Sequence, residues 1–340
     1  MTLRSRVLIL VSALAVLAGV AAASVLHASA RADRRDQARP GGPRITSGRL
    51  ALTGGGRRMV FRNMAWGPHR DELVSVPAAD PSGPRTASGV KCLRFHAASG
   101  TGVCLRAVHG PVQDTYRAVI LDARLRERAH YDVPGVPSRA RVSPSGRFAA
   151  WTAFVGGDSY AGTAFSTRAA IVDTRTGRLT PTLEAYRIVK DGRPYRAADV
   201  NFWGVTFAAD DRTFYATMAT RGSTYLVRGD LRARTLTTLH ANVECPSLSP
   251  DGTRIAYKKR VEGAPEDAPW HLYVLELRTG RETALAEPRS VDDQLVWRDA
   301  RTLVYALPGD YGADLYAVPA DGTGTAHRLT GAALSPAYVD

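Results

Sequence analysis

Two segments of the chain spell out one unit, and its recurrence limits the fold more than any other feature. Val142-Ser143-Pro144-Ser145-Gly146-Arg147-Phe148-Ala149-Ala150-Trp151 and Leu248-Ser249-Pro250-Asp251-Gly252-Thr253-Arg254-Ile255-Ala256-Tyr257 each run from an apolar strand end through Ser-Pro-x-Gly into a second apolar strand. Pro fixes φ, Asp or Ser supplies a local hydrogen bond, and Gly accepts the positive φ of a tight turn. A chain that repeats such a unit must stack its copies to bury them.

Weaker copies occupy the rest. Gly54-Gly55-Gly56 precedes Arg58–Phe61, Ala98-Ser99-Gly100 precedes Gly102–Leu105, Ala209-Asp210-Asp211 precedes Thr213–Ala216, and Arg298-Asp299-Ala300 precedes Thr302–Tyr305. With anchors at 54, 98, 144, 209, 250 and 298, the gaps are 44, 46, 65, 41 and 48 residues, the spacing of a four-stranded propeller blade. The long gap requires an insertion, placed at Gly156–Gly162 and Lys190–Arg196. The second half of each unit agrees. Ala170–Asp173 leads through Gly177 into Arg178–Thr180, Tyr273–Glu276 through Gly280 into Glu282–Ala284, and Leu315–Val318 through Gly322 into His327–Leu329. Each pair reads as a third strand and a polar outer one, as an edge should be. No body segment keeps a helical period over two turns. The expected fold is all-β: a six-bladed β-propeller behind an N-terminal signal or anchor segment. A pair of β-sandwiches also suits short, evenly spaced strands, but it does not ask for one turn type at blade period.

The N-terminus carries an address. Arg4 and Arg6 precede an apolar run from Val7 to Leu26, followed by Ala28-Ser29-Ala30. This is the pattern of a secretory signal, and the run is also long enough to span a bilayer as an uncleaved anchor. Both alternatives put the body outside the cytoplasm. The expected organisation is a signal peptide or membrane anchor over 1–30, a Pro-, Gly- and charge-rich tether over 31–44, and the propeller over 45–340. The chain has a formal charge of +13, carried almost wholly by Arg, and the lysines are Lys91, Lys190, Lys258 and Lys259. The body has no basic run of the kind that grips nucleic acid. The excess reads as Arg on solvated turns, and no nucleic-acid partner is expected.

Cys92, Cys104 and Cys245 fall in the exported part, where disulfides persist. Cys92 and Cys104 flank the loop Ala97–Gly100, and a hairpin there would let them face each other across neighbouring strands and bond. Cys245 is then unpaired. All three acting as small buried apolar residues is the alternative.

The stretch Asn242-Val243-Glu244-Cys245-Pro246-Ser247-Leu248-Ser249-Pro250-Asp251-Gly252-Thr253-Arg254-Ile255-Ala256-Tyr257 resembles the Pro-x-Trp-Ser-Pro-Asp-Gly-x-x-Ile-Ala repeat of TolB-type, WD40-like propellers, with Leu248 in place of the Trp. The resemblance extends over everything after Arg44 but is specific only in blades three and five. It implies a periplasmic or surface binding platform; TolB itself docks partners of an envelope translocation system. Only residues 31–44 separate the apolar segment from the first blade, so no separate N-terminal α/β domain of the TolB kind is expected.

Catalytic readings meet the same residues. Gly157-Asp158-Ser159-Tyr160-Ala161-Gly162 approaches a nucleophile elbow but breaks Gly-x-Ser-x-Gly at Ala161, and an elbow needs a strand-to-helix turn. The eight histidines show no metal-site spacing, so neither metal nor cofactor is expected. Asp210-Asp211 reads as turn chemistry. His69-Arg70-Asp71-Glu72 reads as a solvated turn in blade one or a partner contact. Counting back from the turn anchors places Arg139, Asn201, Trp203, Glu244, Cys245, Asp292 and Asp293 where inner strands begin, at one mouth of the channel. Arg139, Asn201, Trp203, Glu244, Asp292 and Asp293 are therefore the candidate binding mouth, with Trp203 as a partly exposed anchor; a wet, polar mouth common to all propellers, and a Trp203 buried between blades, are the competing readings. The expected function is a non-enzymatic, monomeric scaffold for a protein, peptide or ligand at the cell envelope, attached to the membrane if the N-terminal segment is retained. A propeller hydrolase or lyase with a channel-mouth acid and base is the alternative.

Overall fold

Ser143 and Ser249 show why the sequence unit makes a blade. The Ser143 amide donates to Phe148 O (2.7 Å), Gly146 N to Ser143 O (2.8 Å), and Phe148 N to the Ser143 hydroxyl (3.0 Å). In the other copy Ser249 N reaches Arg254 O (2.9 Å), Gly252 N reaches Ser249 O (2.9 Å), and Arg254 N reaches the Ser249 hydroxyl (3.0 Å). Gly146 and Gly252 hold φ of 77° and 71°, the left-handed region that glycine enters without strain. In two of the weaker copies an Asp side chain closes the turn instead. Asp210 Oδ1 accepts from the amides of Arg212 and Thr213, and Asp299 Oδ1 from those of Arg301 and Thr302. Different residues thus close one turn, and the acid of Asp210 is spent on it.

The computed structural model describes residues 3–110, 113–157 and 165–340. Their strands form six sheets, one per blade. Blade 2 comprises Arg94–Ala98, Thr101–Val108, Thr115–Leu121 and Glu127–Val133, and blade 3 comprises Val136–Val142, Phe148–Gly156, Ser166–Asp173 and Leu179–Thr180. Blade 5 holds Glu244–Leu248, Arg254–Arg260, Trp270–Glu276 and Glu282–Ala284, and blade 6 holds Val296–Trp297, Thr302–Leu307, Asp314–Pro319 and His327–Thr330. All six anchors fall at or beside the turn leading into a second strand. Neighbouring blades pack face to face through apolar rings, such as Phe148 on Phe207 at 6.2 Å.

Two blades depart from this plan. In blade 1 the innermost strand is the C-terminal Ala333–Val339, which pairs with Arg58–Asn63 and so closes the ring with the two ends of the chain. Glu72–Pro77, Arg85–Lys91 and the short Ile45–Ser47 complete that sheet. Blade 4 adds a hairpin, Arg187–Lys190 with Arg193–Tyr195, to the outer edge of Asn201–Phe207, Thr213–Thr220, Ser223–Asp230 and Thr235–Ala241. The expected loop at Lys190–Arg196 is therefore largely the turn and second strand of an ordered edge hairpin. Covering the outer strand in this way satisfies its edge. The other expected loop, with Ser159 and the broken elbow motif, falls mostly on residues 158–164, outside the described residues.

A helix, Leu3–Asp36, precedes the propeller and is long and apolar enough to cross a membrane, compatible with a signal or an anchor. Its end meets the face on which inner strands begin. Gly67 N donates to Arg35 O (2.8 Å), and the Arg39 guanidinium lies 3.8 Å from the centre of the Trp66 ring, with Tyr311 edge-on to Trp66 at 6.2 Å.

Candidate functional site

Inner strands line the axis, and period-two alternation aims every second side chain into it. In blade 3 this places both Arg139 and Arg141 on the axis. Each reaches across to blade 6. Arg139 Nη2 pairs with Asp292 Oδ1 at 3.0 Å, and Arg141 Nη2 donates to Leu295 O at 3.0 Å. Blade 5 adds Lys258, fully buried, whose ammonium hydrogen-bonds Asp292 and lies 3.7 Å from Glu244 Oε2 and 3.6 Å from the centre of the Trp270 ring. Glu244 Oε1 accepts from Trp270 Nε1 (3.0 Å) and Arg260 Nε (2.9 Å). Gln294 ties Pro246 O (2.8 Å) and Val205 O (3.1 Å). The channel is closed at this level by side chains bonded to one another, leaving a void of about 30 Å³ among residues that include Arg94, Ser138, Arg139 and Asp293.

Of the predicted mouth, the structure brings Arg139, Glu244 and Asp292 into this one network. Asn201 is spent locally: its Oδ1 accepts from Thr167 N at 2.9 Å and its Nδ2 donates to Asp199 O. Asp293 accepts from Ala306 N at 2.9 Å and faces Arg141 electrostatically. Trp203 requires a correction. It is not a partly exposed anchor but 1% exposed, packed with Phe154, Cys245 and Trp270 and edge-on to Phe165 at 5.4 Å. Its large apolar surface is worth more between blades than in water. The charged loop at His69–Glu72 turns inward as well. Asp71 pairs with Arg62 at 2.6 Å, and Glu72 accepts from Gly89 N at 2.9 Å.

Electrostatics at this end run away from neutrality. Burial pushes the Asp292 carboxyl up, but Lys258 and Arg139 outweigh it and hold the group below its ordinary range. Burial raises the Cys245 thiol. Cys92 and Cys104 form a disulfide with Cα atoms 5.4 Å apart. The cross-strand partner of Cys104 is Phe95, and Cys92 belongs to the link from blade 1 to blade 2, so the bond ties two blades together rather than spanning one hairpin.

Sequence reasoning missed Arg141, His96, Lys258 and Tyr338. The Arg139-x-Arg141 spacing was a usable signal for one of them. Beyond the closed level the axis opens toward the turn-bearing face into a recess of about 370 Å³. Arg141 and His96 line both spaces. Burial, then Arg141, lowers the His96 imidazole well below its ordinary range, so it is neutral; its Nδ1 accepts from Val142 N at 3.1 Å.

No known sequence family and no curated protein matches this chain. Solved structures do. TolB from Acinetobacter baumannii superposes with a TM-score of 0.52 at 18% identity, over 84% of this chain and 66% of that one. This chain thus spans just under two thirds of that TolB. A chain of a nidogen/laminin complex gives 0.53 at 10% identity, over 84% and 99%. A puromycin-hydrolysing peptidase of Mycobacterium tuberculosis gives 0.47 at 17% identity, over 83% and 45%. The class is therefore a six-bladed β-propeller, and its fold is TolB-like.

Proposed function

We propose that the protein is an extracytoplasmic scaffold at the cell envelope that binds a protein or peptide through the turn-bearing end of its channel. The asymmetry of the channel carries this reading: one end is closed by Arg139, Lys258, Glu244 and Asp292, and the other is an open recess. Three further points support it. The helix leaves from the closed face, where Arg39 stacks on Trp66, so in an anchored protein the open face points away from the membrane. The titrating groups at the closed end suit structure better than acid–base work, since Asp292 is pushed down and Cys245 up, both away from the pH at which a catalyst must exchange protons. Finally, one of the similar propellers stands in a complex of two proteins, nidogen and laminin.

Photocrosslinking on intact membranes tests the reading. A benzophenone side chain replacing exposed Ala209, at the rim of the recess, should give a discrete adduct; one replacing exposed Glu266, on a loop of the opposite face, should give none. Adducts from Glu266 alone would move docking to the other face. Silence from both positions defeats the scaffold reading.

A further inference from the structure

A groove between blades 3 and 4 opens on the same turn-bearing face as the recess. It holds about 470 Å³, with Phe148 and Ile171 buried in its floor and Arg147, Arg178, Arg212, Arg232 and Arg234 around them. The two spaces adjoin. Phe207 lines the recess and stacks on Phe148 of the groove at 6.2 Å, and Ala209 of the recess lies two residues before Asp211 of the groove.

The acids of this groove are already committed. In blade 3 the third strand ends at Asp173, whose Oδ2 pairs with Arg147 at 2.9 Å and whose Oδ1 accepts from the amides of Arg175 and Thr176. Asp230 repeats the arrangement in blade 4: Oδ2 meets Arg212 at 2.7 Å, and Oδ1 takes the amides of Arg232 and Ala233. Asp211 accepts from the Ser145 hydroxyl at 2.5 Å, and Asp210 serves its own turn. Arg178, Arg232 and Arg234 are exposed and make no ion pair among the described residues. Blade 5 shows the contrast. It has the same Arg-Thr-Gly-Arg turn at 278–281, and there Glu276 lies 3.8 Å from Arg281, the counterpart of Arg178.

The unpaired cations also converge. Arg178 and Arg234 both bear electrostatically on the Tyr186 phenol, whose pKa burial pushes up, and the Arg234 guanidinium lies 5.1 Å from the centre of the Tyr186 ring. Like charges gathered at one walled groove raise the local potential and favour an anion there. The floor decides the kind of anion. A phosphate would use the guanidiniums and leave Phe148 and Ile171 without a partner. A peptide segment meets both, since acidic side chains fork onto guanidiniums while an apolar neighbour packs on the floor. The groove continues from the recess, which suits a chain laid across the face.

We infer that the groove between blades 3 and 4 binds an acidic peptide segment of the partner, with carboxylates on Arg178 and Arg232 and an apolar side chain over Phe148 and Ile171. The inference rests on the scaffold reading and specifies the chemistry of what the scaffold grips.

The probe is the peptide Glu-Leu-Glu-Leu-Glu carrying a neutral fluorophore, with Gln-Leu-Gln-Leu-Gln as its uncharged match, read by fluorescence anisotropy on the full chain in nonionic detergent. At about 20 mM salt, where screening is weak, the acidic peptide should bind about tenfold or more tightly, because only it meets the guanidiniums with charge. The double variant Arg178→Gln, Arg232→Gln should lose that preference. Arg124→Gln with Arg128→Gln removes the same charge from exposed positions of blade 2 and should keep it. All four side chains are exposed, so both variants should melt as the unaltered protein does. The inference falls if the two peptides bind alike, or if neither binds at about 1 mM. It falls if the blade 2 variant loses the preference equally, since net charge alone would then be the cause. It falls too if inorganic phosphate displaces the peptide with the lower dissociation constant of the two, which would make the groove a phosphate site. Should the Ala209 adduct persist in any of those cases, the groove assignment alone is lost and the scaffold stands.

Discussion

The two ends of the channel are built from the same inner strands and behave in opposite ways. Where the strands begin, Arg139 from blade 3 meets Asp292 from blade 6, Lys258 fills the space between Asp292 and Glu244, and Trp270 caps Glu244 with its indole N–H. Arg139, Lys258, Glu244 and Asp292 answer one another's charges across the axis, so the end is shut. Where the strands finish, the channel opens into a recess of about 370 Å³ lined by Arg141, Pro144, Leu248 and Trp297 among others. Charged residues at a propeller mouth are therefore no guide to binding until their partners are known. A closed ion network holds blades together, whereas an open recess leaves room for a ligand.

Three experiments can break or sharpen that contrast. The largest effect is expected from Trp203→Ala beneath the closed end, which should cost about 3–5 kcal/mol of stability in denaturant unfolding, as truncation of a buried Trp does. A loss below about 1 kcal/mol, the scale of a surface change, would mean that the indole is not a core residue. Next comes Lys258→Met, which leaves Glu244 and Asp292 without their shared ammonium; a loss of about 3 kcal/mol is expected because a buried charge is stranded. If stability holds or rises, the network is dispensable and the closed end needs another explanation.

The smallest effect concerns pH. The folded Asp292 carboxyl lies below its ordinary range, so the unfolded chain takes up its proton first as pH falls. Its contribution is complete above the ordinary carboxylate range and is lost as pH drops through the folded value. Melting temperatures between pH 7 and 3 should fall less steeply for Asp292→Asn than for the unaltered protein. Parallel curves would show that Lys258 and Arg139 do not hold the carboxylate.

Much of the fold was readable in advance because it rests on local chemistry. A turn that needs a positive φ demands Gly within a few residues of its Ser or Asp, so Gly146 and Gly252 marked their blades outright. Asp210 and Asp299 served the same turn through side-chain acceptors, leaving a fainter signal. The site was harder. Position along an inner strand located Arg139, Glu244 and Asp292 near one level, but contact across the axis joins residues 139 and 292, far apart in the chain. Trp203 was misjudged for the same reason, since the strand gives its level in the blade and only the neighbouring blades decide whether water reaches it.

The sequence by itself determined the number of blades, the turn chemistry between inner and second strands, and an apolar N-terminal segment long enough to span a bilayer, because each is written in spacing or composition over a few tens of residues. Tertiary structure alone decided that the C-terminal strand completes blade 1, that the Cys92–Cys104 bond expected from spacing ties the link between two blades rather than one hairpin, and which end of the channel stays open. Those outcomes depend on ring closure and on distances across the axis, and neither leaves a local trace in the order of residues.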